Sequence, residues 1–151
     1  LFTMETTTLI GSAMPPIIVA QIILAVIAQL VFGLYFIYSG VKHLTQMKGM
    51  VGYAGSKGVP MPGFLVPFSG LMLIVGGLSV VTGLYVGYGL ALLAIFMAIV
   101  TPVMHNFWAE KDAMSRMNSK IHFTKNLAIL GAVLLALALV NSWPWVAPIS
   151  L

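Results

Sequence analysis

Three long stretches of the chain carry no charge: Thr6 to Val41, Gly58 to Ala109 and Asn126 to Leu151. A hydrocarbon core about 30 Å thick takes roughly 20 helical residues to cross. The first stretch predicts one membrane span near residues 17–41, with Pro15-Pro16 suited to its start. The middle stretch is too long for one span and right for two. Its punctuation is Gly83-Leu84-Tyr85-Val86-Gly87-Tyr88-Gly89, where glycines and tyrosines mark a tight turn at a membrane surface. That sets spans near 64–84 and 87–106. A last span is predicted near 121–141, and Trp143-Pro144-Trp145 after it reads as an aromatic belt with a helix stop. The expected fold is all-α, a polytopic four-helix membrane bundle forming a single membrane domain over residues 1–151.

Between the first two spans, Leu44, Met47, Val51 and Ala54 fall on one helical face, with Gln46, Lys48 and Tyr53 elsewhere. This predicts a short helix lying along the membrane surface, stopped by Gly58 and Val59-Pro60.

Composition agrees with a lipid solvent. Charged residues make up 7% and hydrophobic residues 60%, against about 25% charged in a typical soluble domain. A water-facing surface cannot be covered so sparsely, which excludes a soluble enzyme, a secreted module and a disordered segment. Cysteine is absent, so disulfides, thiolate metal sites and thiol redox chemistry are excluded. The net charge of +4 is too thinly spread for nucleic acid. No Lys or Arg precedes the first apolar run, which is not the pattern of a secretory signal.

The position of the basic residues changes the picture further. Lys42, Lys48 and Lys57 lie in or beside the first long loop, and Lys111, Arg116, Lys120 and Lys125 in or beside the third. Four spans put both loops on one side. The excess of positive charge makes that side cytoplasmic, in the cell membrane, and sends both termini outward. Small residues suggest how the spans pack in lipid: Ser69, Gly76 and Gly83 with Gly70 and Gly77 in the second, Ala94, Ala98, Thr101 and His105 in the third, and Ala128, Ala132 and Ala136 in the fourth. In the first, Gln21, Ala25, Ala28, Phe32, Tyr35, Ser39 and Lys42 share a face.

The rare polar groups gather at the basic end. His43 follows the first span, His105 closes the third and His122 opens the fourth. Tyr35, Ser39 and Lys42 or His43 share a helical face, and His122 and Asn126 are one turn apart. Pro102 removes a donor just before His105-Asn106 and predicts a kink there. Polar side chains at this depth are costly unless they pair, and they mark a site. The lysines also suit snorkelling to headgroups. No HxH or HxxxH spacing supports a metal centre, and no facing pair of mid-span histidines suits haem. Glu110 and Asp112 read as a solvated loop. There is no phosphate loop, no GxSxG and no acidic residue within a span, which argues against hydrolases and ion-coupled transport.

The run Gly33-Leu34-Tyr35-Phe36-Ile37-Tyr38-Ser39-Gly40-Val41-Lys42-His43-Leu44, then Gly58-Val59-Pro60-Met61-Pro62, Gly76-Gly77, His105-Asn106-Phe107-Trp108 and Lys125-Asn126-Leu127-Ala128-Ile129-Leu130-Gly131, resembles the DoxX family in order and spacing. The resemblance implies a four-helix membrane protein tied to redox complexes. Some relatives are small subunits of quinone-linked oxidoreductases, such as thiosulfate:quinone oxidoreductase and an archaeal terminal quinol oxidase. By motif it singles out Ser39, Lys42 and His105, with Asn126 behind them. Many relatives carry a Glu where this chain has Leu73, and its loss favours an accessory over a catalytic role.

The expectation is a small accessory subunit of a larger membrane redox complex, quinone-linked by resemblance and not an enzyme on its own. Tyr35, Ser39, Lys42, His105 and Asn126 would hold a quinone headgroup or a lipid phosphate, with Phe107 and Trp108 as a ring wall. Its partners would be the lipid bilayer and neighbouring membrane subunits, with no nucleic acid, no metal and no intrinsic cofactor beyond quinone. The rivals are a structural subunit packing partner helices in an oxidase or copper monooxygenase complex, and a stand-alone quinone-reactive oxidoreductase.

Overall fold

A computed structural model describes residues 15–142. The Trp143-Pro144-Trp145 belt and both chain ends lie outside the described residues. The elements are α1 (Pro16–Thr45), α2 (Met47–Ser56), α3 (Pro62–Thr82), α4 (Val86–Met104), a 3-10 turn (Phe107–Ala109) and α5 (Ala113–Ala138). Four of these, α1, α3, α4 and α5, are long and apolar enough to cross a membrane. The chain is a multi-pass membrane protein, and α2 is the short helix expected between the first two spans.

Local chemistry sets the ends. Pro16 starts α1 and Pro62 starts α3, positions where the missing N–H costs nothing. The α3–α4 hairpin turns on Gly83, at φ 73°, and Tyr85, at φ 50°. Ser79 steadies it by donating to the Leu84 carbonyl at 2.6 Å. Helix α5 begins at Ala113 because Asp112 caps it, accepting from the Ser115 N–H at 2.8 Å. That bond lowers the pKa of Asp112. The helix thus starts before the apolar run does. Pro102 lies inside α4, which continues to Met104 and ends at His105.

The closest packing joins α1 to α3. A Cβ on Gly33 would come within 2.8 Å of the Gly77 carbonyl oxygen, and one on Gly40 within 2.5 Å of that of Gly70. The reverse approaches are 2.7 Å and 3.0 Å, so two glycine pairs, two turns apart on each helix, set the crossing. Helix α3 also presents Gly76 to Leu93 and Gly89 of α4. Gly76 and Gly77 therefore serve different neighbours. On α1 the buried residues are Ala25, Gln29, Gly33, Phe36 and Gly40. This corrects the expected face, because the glycines and not the alanines decide which side of α1 meets α3. Gln29 is buried and donates to the Val80 carbonyl at 2.7 Å, a second tie to α3.

The core lies between α3, α4 and α5, with Phe36 from α1. Leu73, Leu90, Leu93 and Val133 are fully buried in it. In α5 the inward residue of the apolar half is Val133, while Ala128 and Ala132 are exposed. Of the expected alanine stripe of the fourth span, Ala136 packs against the core, while Ala128 and Ala132 are exposed.

Candidate functional site

A cavity of about 460 Å³ opens in the bundle at the end that carries α2. Helix α1 lines it with Tyr35, Ser39 and His43, one helical turn apart. The local fold chooses His43 over Lys42. The Ser39 carbonyl, an acceptor only, lies 2.8 Å from His43 Nδ1. Nδ1 therefore carries a hydrogen, and in the Nδ1–H tautomer Nε2 is the acceptor. Lys42 instead lies over the Tyr38 ring, 4.9 Å from its centroid, and does not line the cavity.

From the other side come His105, His122, Lys125 and Asn126. The His105 and His122 rings stack at 5.1 Å with an interplanar angle of 22°. The cavity thus receives Tyr35, Ser39, His105 and Asn126 together with all three histidines, and leaves Lys42 out. Among the described residues no group of three or more His, Cys, Asp and Glu is placed to hold a metal ion.

The apolar walls differ from those expected. Phe107, Trp108 and Phe123 pack edge-on against one another at 5.2–5.8 Å between ring centroids. They form an aromatic cluster between the 3-10 turn and α5 and do not line the cavity. Its ring-bearing walls are Phe36, Phe68 and Phe96, with Leu73 between them. His43 and Phe96 meet edge-on at 6.1 Å. The position where many relatives resembling this chain carry Glu is here a fully buried Leu73 that contributes only apolar surface.

Helix α2 bounds the cavity at its end of the bundle. Met50, Tyr53, Ala54 and Val59 line the cavity from that side, and Ala54 is buried. Tyr53, expected on another face of α2, reaches α4 and donates to the Met104 carbonyl at 3.3 Å. The end of α2 is fastened by Lys57, which donates to the Glu110 carboxylate and, at 3.2 Å, to Asn106 Oδ1. Ser119 donates to the same carboxylate at 3.4 Å, and Arg116 donates twice to the Glu110 carbonyl. The side chains of Lys57 and Glu110 are only 13% and 24% exposed. The hydrogen bond from Lys57 holds the Glu110 carboxyl below the usual carboxylate range, and the same bond raises the Lys57 ammonium. Glu110 is thus no bystander in a solvated loop. Its neighbours Lys111 and Asp112 in the sequence concealed a partner 53 positions away.

Chemically, the cavity offers donors and one cation, Lys125, and no carboxylate among its lining residues. It suits a head with acceptor oxygens and a body that is apolar.

Comparison with known proteins places this architecture. The family model described as DoxX matches residues 17–106, which takes in α1 to α4 and the first three polar positions of the cavity, on α1. Inner membrane protein YphA of Escherichia coli (strain K12) is 33% identical over 118 residues, covering 77% of this chain and 82% of that protein. No solved structure matches. The chain belongs to the DoxX family.

Proposed function

We propose that this protein is an accessory subunit of a membrane redox complex and holds a quinone headgroup in the cavity between α1, α3, α4 and α5. The observation that carries the reading is the cavity lining: Ser39, His105, His122, Lys125 and Asn126 at one end, with Phe36, Leu73 and Phe96 as walls. Hydrogen-bond donors fit quinone carbonyls, the walls fit the ring, and Nε2 of the Nδ1–H tautomer of His43 accepts from the hydroxyl of the reduced form. A bound quinone would supply two-electron, two-proton redox chemistry. The chain's own residues bind it, orient it and exclude water. Its lining lacks a carboxylate to shuttle protons, which favours holding over turnover. By the positive-inside rule, α2 and the loop before α5 face the cytoplasm of a cell-membrane protein.

The test is purification in mild detergent, followed by identification of co-migrating subunits and of extracted quinone. A redox complex that retains quinone with the wild-type chain, and loses it with His105→Ala together with Lys125→Ala, supports the reading. Quinone-dependent turnover by the isolated chain overturns it. A second reading, a structural subunit without a ligand, draws on the exposed Ala128 and Ala132 of α5. Small residues facing lipid let a partner helix approach closely.

A further inference from the structure

The cavity has a polar flank and an apolar flank. His122, Lys125 and Asn126 of α5 line the first, across from Tyr35 of α1. Phe68 and Met72 of α3 with Ile95 and Ile99 of α4 line the second. Phe68 is 48% exposed, Ile95 53% and Ile99 61%, although all three line the cavity. Side chains that border a cavity and also face outward mark an opening: Tyr35, His122 and Lys125 mark one on the polar flank, and Phe68, Ile95 and Ile99 mark an apolar one between α3 and α4. Helices α3 and α4 meet closely where Gly76 faces Gly89, near the hairpin turn. Farther along no glycine joins them, and Phe68, Phe96 and Ile99 line the cavity. The apolar mouth lies on the flank of two spanning helices, so what it opens to is hydrocarbon. The end of the bundle beside it is covered by α2, pinned through Tyr53 to Met104 and through Lys57 to Glu110 and Asn106.

We propose that the cavity is filled sideways from the bilayer, through the gap between α3 and α4. Its ligand is then an amphiphile: a head bearing acceptor oxygens sits among Ser39, His105, Lys125 and Asn126, and an apolar chain leaves past Phe68, Ile95 and Ile99. The chain gains little by contact, since lipid is as apolar as the groove. Its role is to concentrate the ligand in the membrane and present the head to the mouth. This deepens the headgroup reading above and names the route. The head chemistry is shared by a membrane quinone and an anionic phospholipid.

The cysteine-free chain makes a direct test simple. Full-length protein in lipid nanodiscs carries one thiol, from Ser39→Cys in the cavity or from Lys48→Cys on the exposed face of α2. Each is treated with a maleimide bearing a ten-carbon chain and with a sulfonated maleimide. Sideways filling predicts that Ser39→Cys reacts roughly a hundredfold faster with the chain-bearing reagent, less than its full partitioning into hydrocarbon would allow. At Lys48→Cys the sulfonated reagent is the faster. Adding Ile99→Trp, or Phe68→Trp if the first fails to fold, slows labelling of Ser39→Cys several-fold, while Leu127→Trp on the outer face of α5 leaves it unchanged. Equal labelling of Ser39→Cys by the sulfonated reagent, or indifference to both mouth substitutions, overturns the route. No quinone enters this arm, so its outcome is independent of the headgroup reading. In a second arm, a decyl-substituted benzoquinone or dioleoylphosphatidic acid is added before labelling. Protection by the first identifies a quinone source and by the second a lipid source. Protection by neither, or equal protection by the ring without its chain, overturns the amphiphile.

Discussion

Lys57, at the end of α2, donates a hydrogen bond to the carboxylate of Glu110, just past the 3-10 turn that follows α4. The pair ties together two loops 53 positions apart and holds α2 over the cavity. Its pH dependence has a definite sign. The Glu110 pKa is lowered in the fold, so its contribution is present above the ordinary carboxylate pKa and is lost as pH falls through the folded value. The Lys57 pKa is raised, so its contribution is present below the ordinary lysine pKa and is lost as pH rises through the folded value. Across the neutral range the tie is intact.

Amide hydrogen exchange of α2 reads this tie. Glu110→Gln speeds exchange between Met47 and Ser56 a few-fold at neutral pH and leaves α1 and α3 unchanged, as expected for a partly exposed pair. Acidification of the wild type below the ordinary carboxylate range produces the same local loosening. Unchanged exchange in the variant would mean that Tyr53 and Ala54 hold α2 without the ion pair.

The glycine seam predicts where added bulk is tolerated. Gly77→Val pushes a side chain into the Gly33 carbonyl, where a Cβ already comes within 2.7 Å of backbone. Overpacking against atoms that cannot rotate away costs about 1–3 kcal/mol. At Gly131 nothing lies within 4 Å of a built Cβ, so Gly131→Ala is neutral or gains up to about 1 kcal/mol from helix propensity. Thermal unfolding in detergent distinguishes the two.

His43 separates scaffold from site. His43→Asn retains a donor for the Ser39 carbonyl and removes the acceptor at Nε2. The expected result is a fold of near wild-type stability, with affinity for a reduced quinol analogue lowered about tenfold, the worth of roughly one hydrogen bond. Titration of a fluorescent quinol analogue measures it. Equal affinity would place the head elsewhere in the cavity.

Sidedness follows from the basic residues and has its own check. In sealed vesicles of one orientation, Lys48→Cys and Arg116→Cys are labelled by an impermeant maleimide from the same face. Labelling from opposite faces would contradict four spans.

Much of this molecule is legible in its sequence. Uncharged stretches bounded by Lys42, Lys57, Glu110 and Lys125 count the spans, because a charge in hydrocarbon is costly. Gly83 and Tyr85 mark the hairpin because both adopt positive φ there. The three histidines are foreseen at one end, since span boundaries fix their depth. What escapes is pairing. Periodicity alone leaves Lys42 and His43 equivalent, and the bond from His43 to the Ser39 carbonyl decides between them. The inward face of α1 is misjudged because Gly33 and Gly40 carry no side chain for a hydrophobic pattern to register. Tyr53 and Glu110 are missed for a related reason: their partners, Met104 and Lys57, are distant in the chain, and no local pattern encodes them.

Two glycine pairs clamp α1 to α3 backbone against backbone, whereas α4 grips α3 by glycine only beside the hairpin. The first seam therefore rejects any added side-chain atom, whereas the second is a matter of side-chain fit, where Leu73 of α3 meets Leu90 and Leu93 of α4. There a larger residue on one helix can be met by a smaller one on the other, which backbone against backbone never allows.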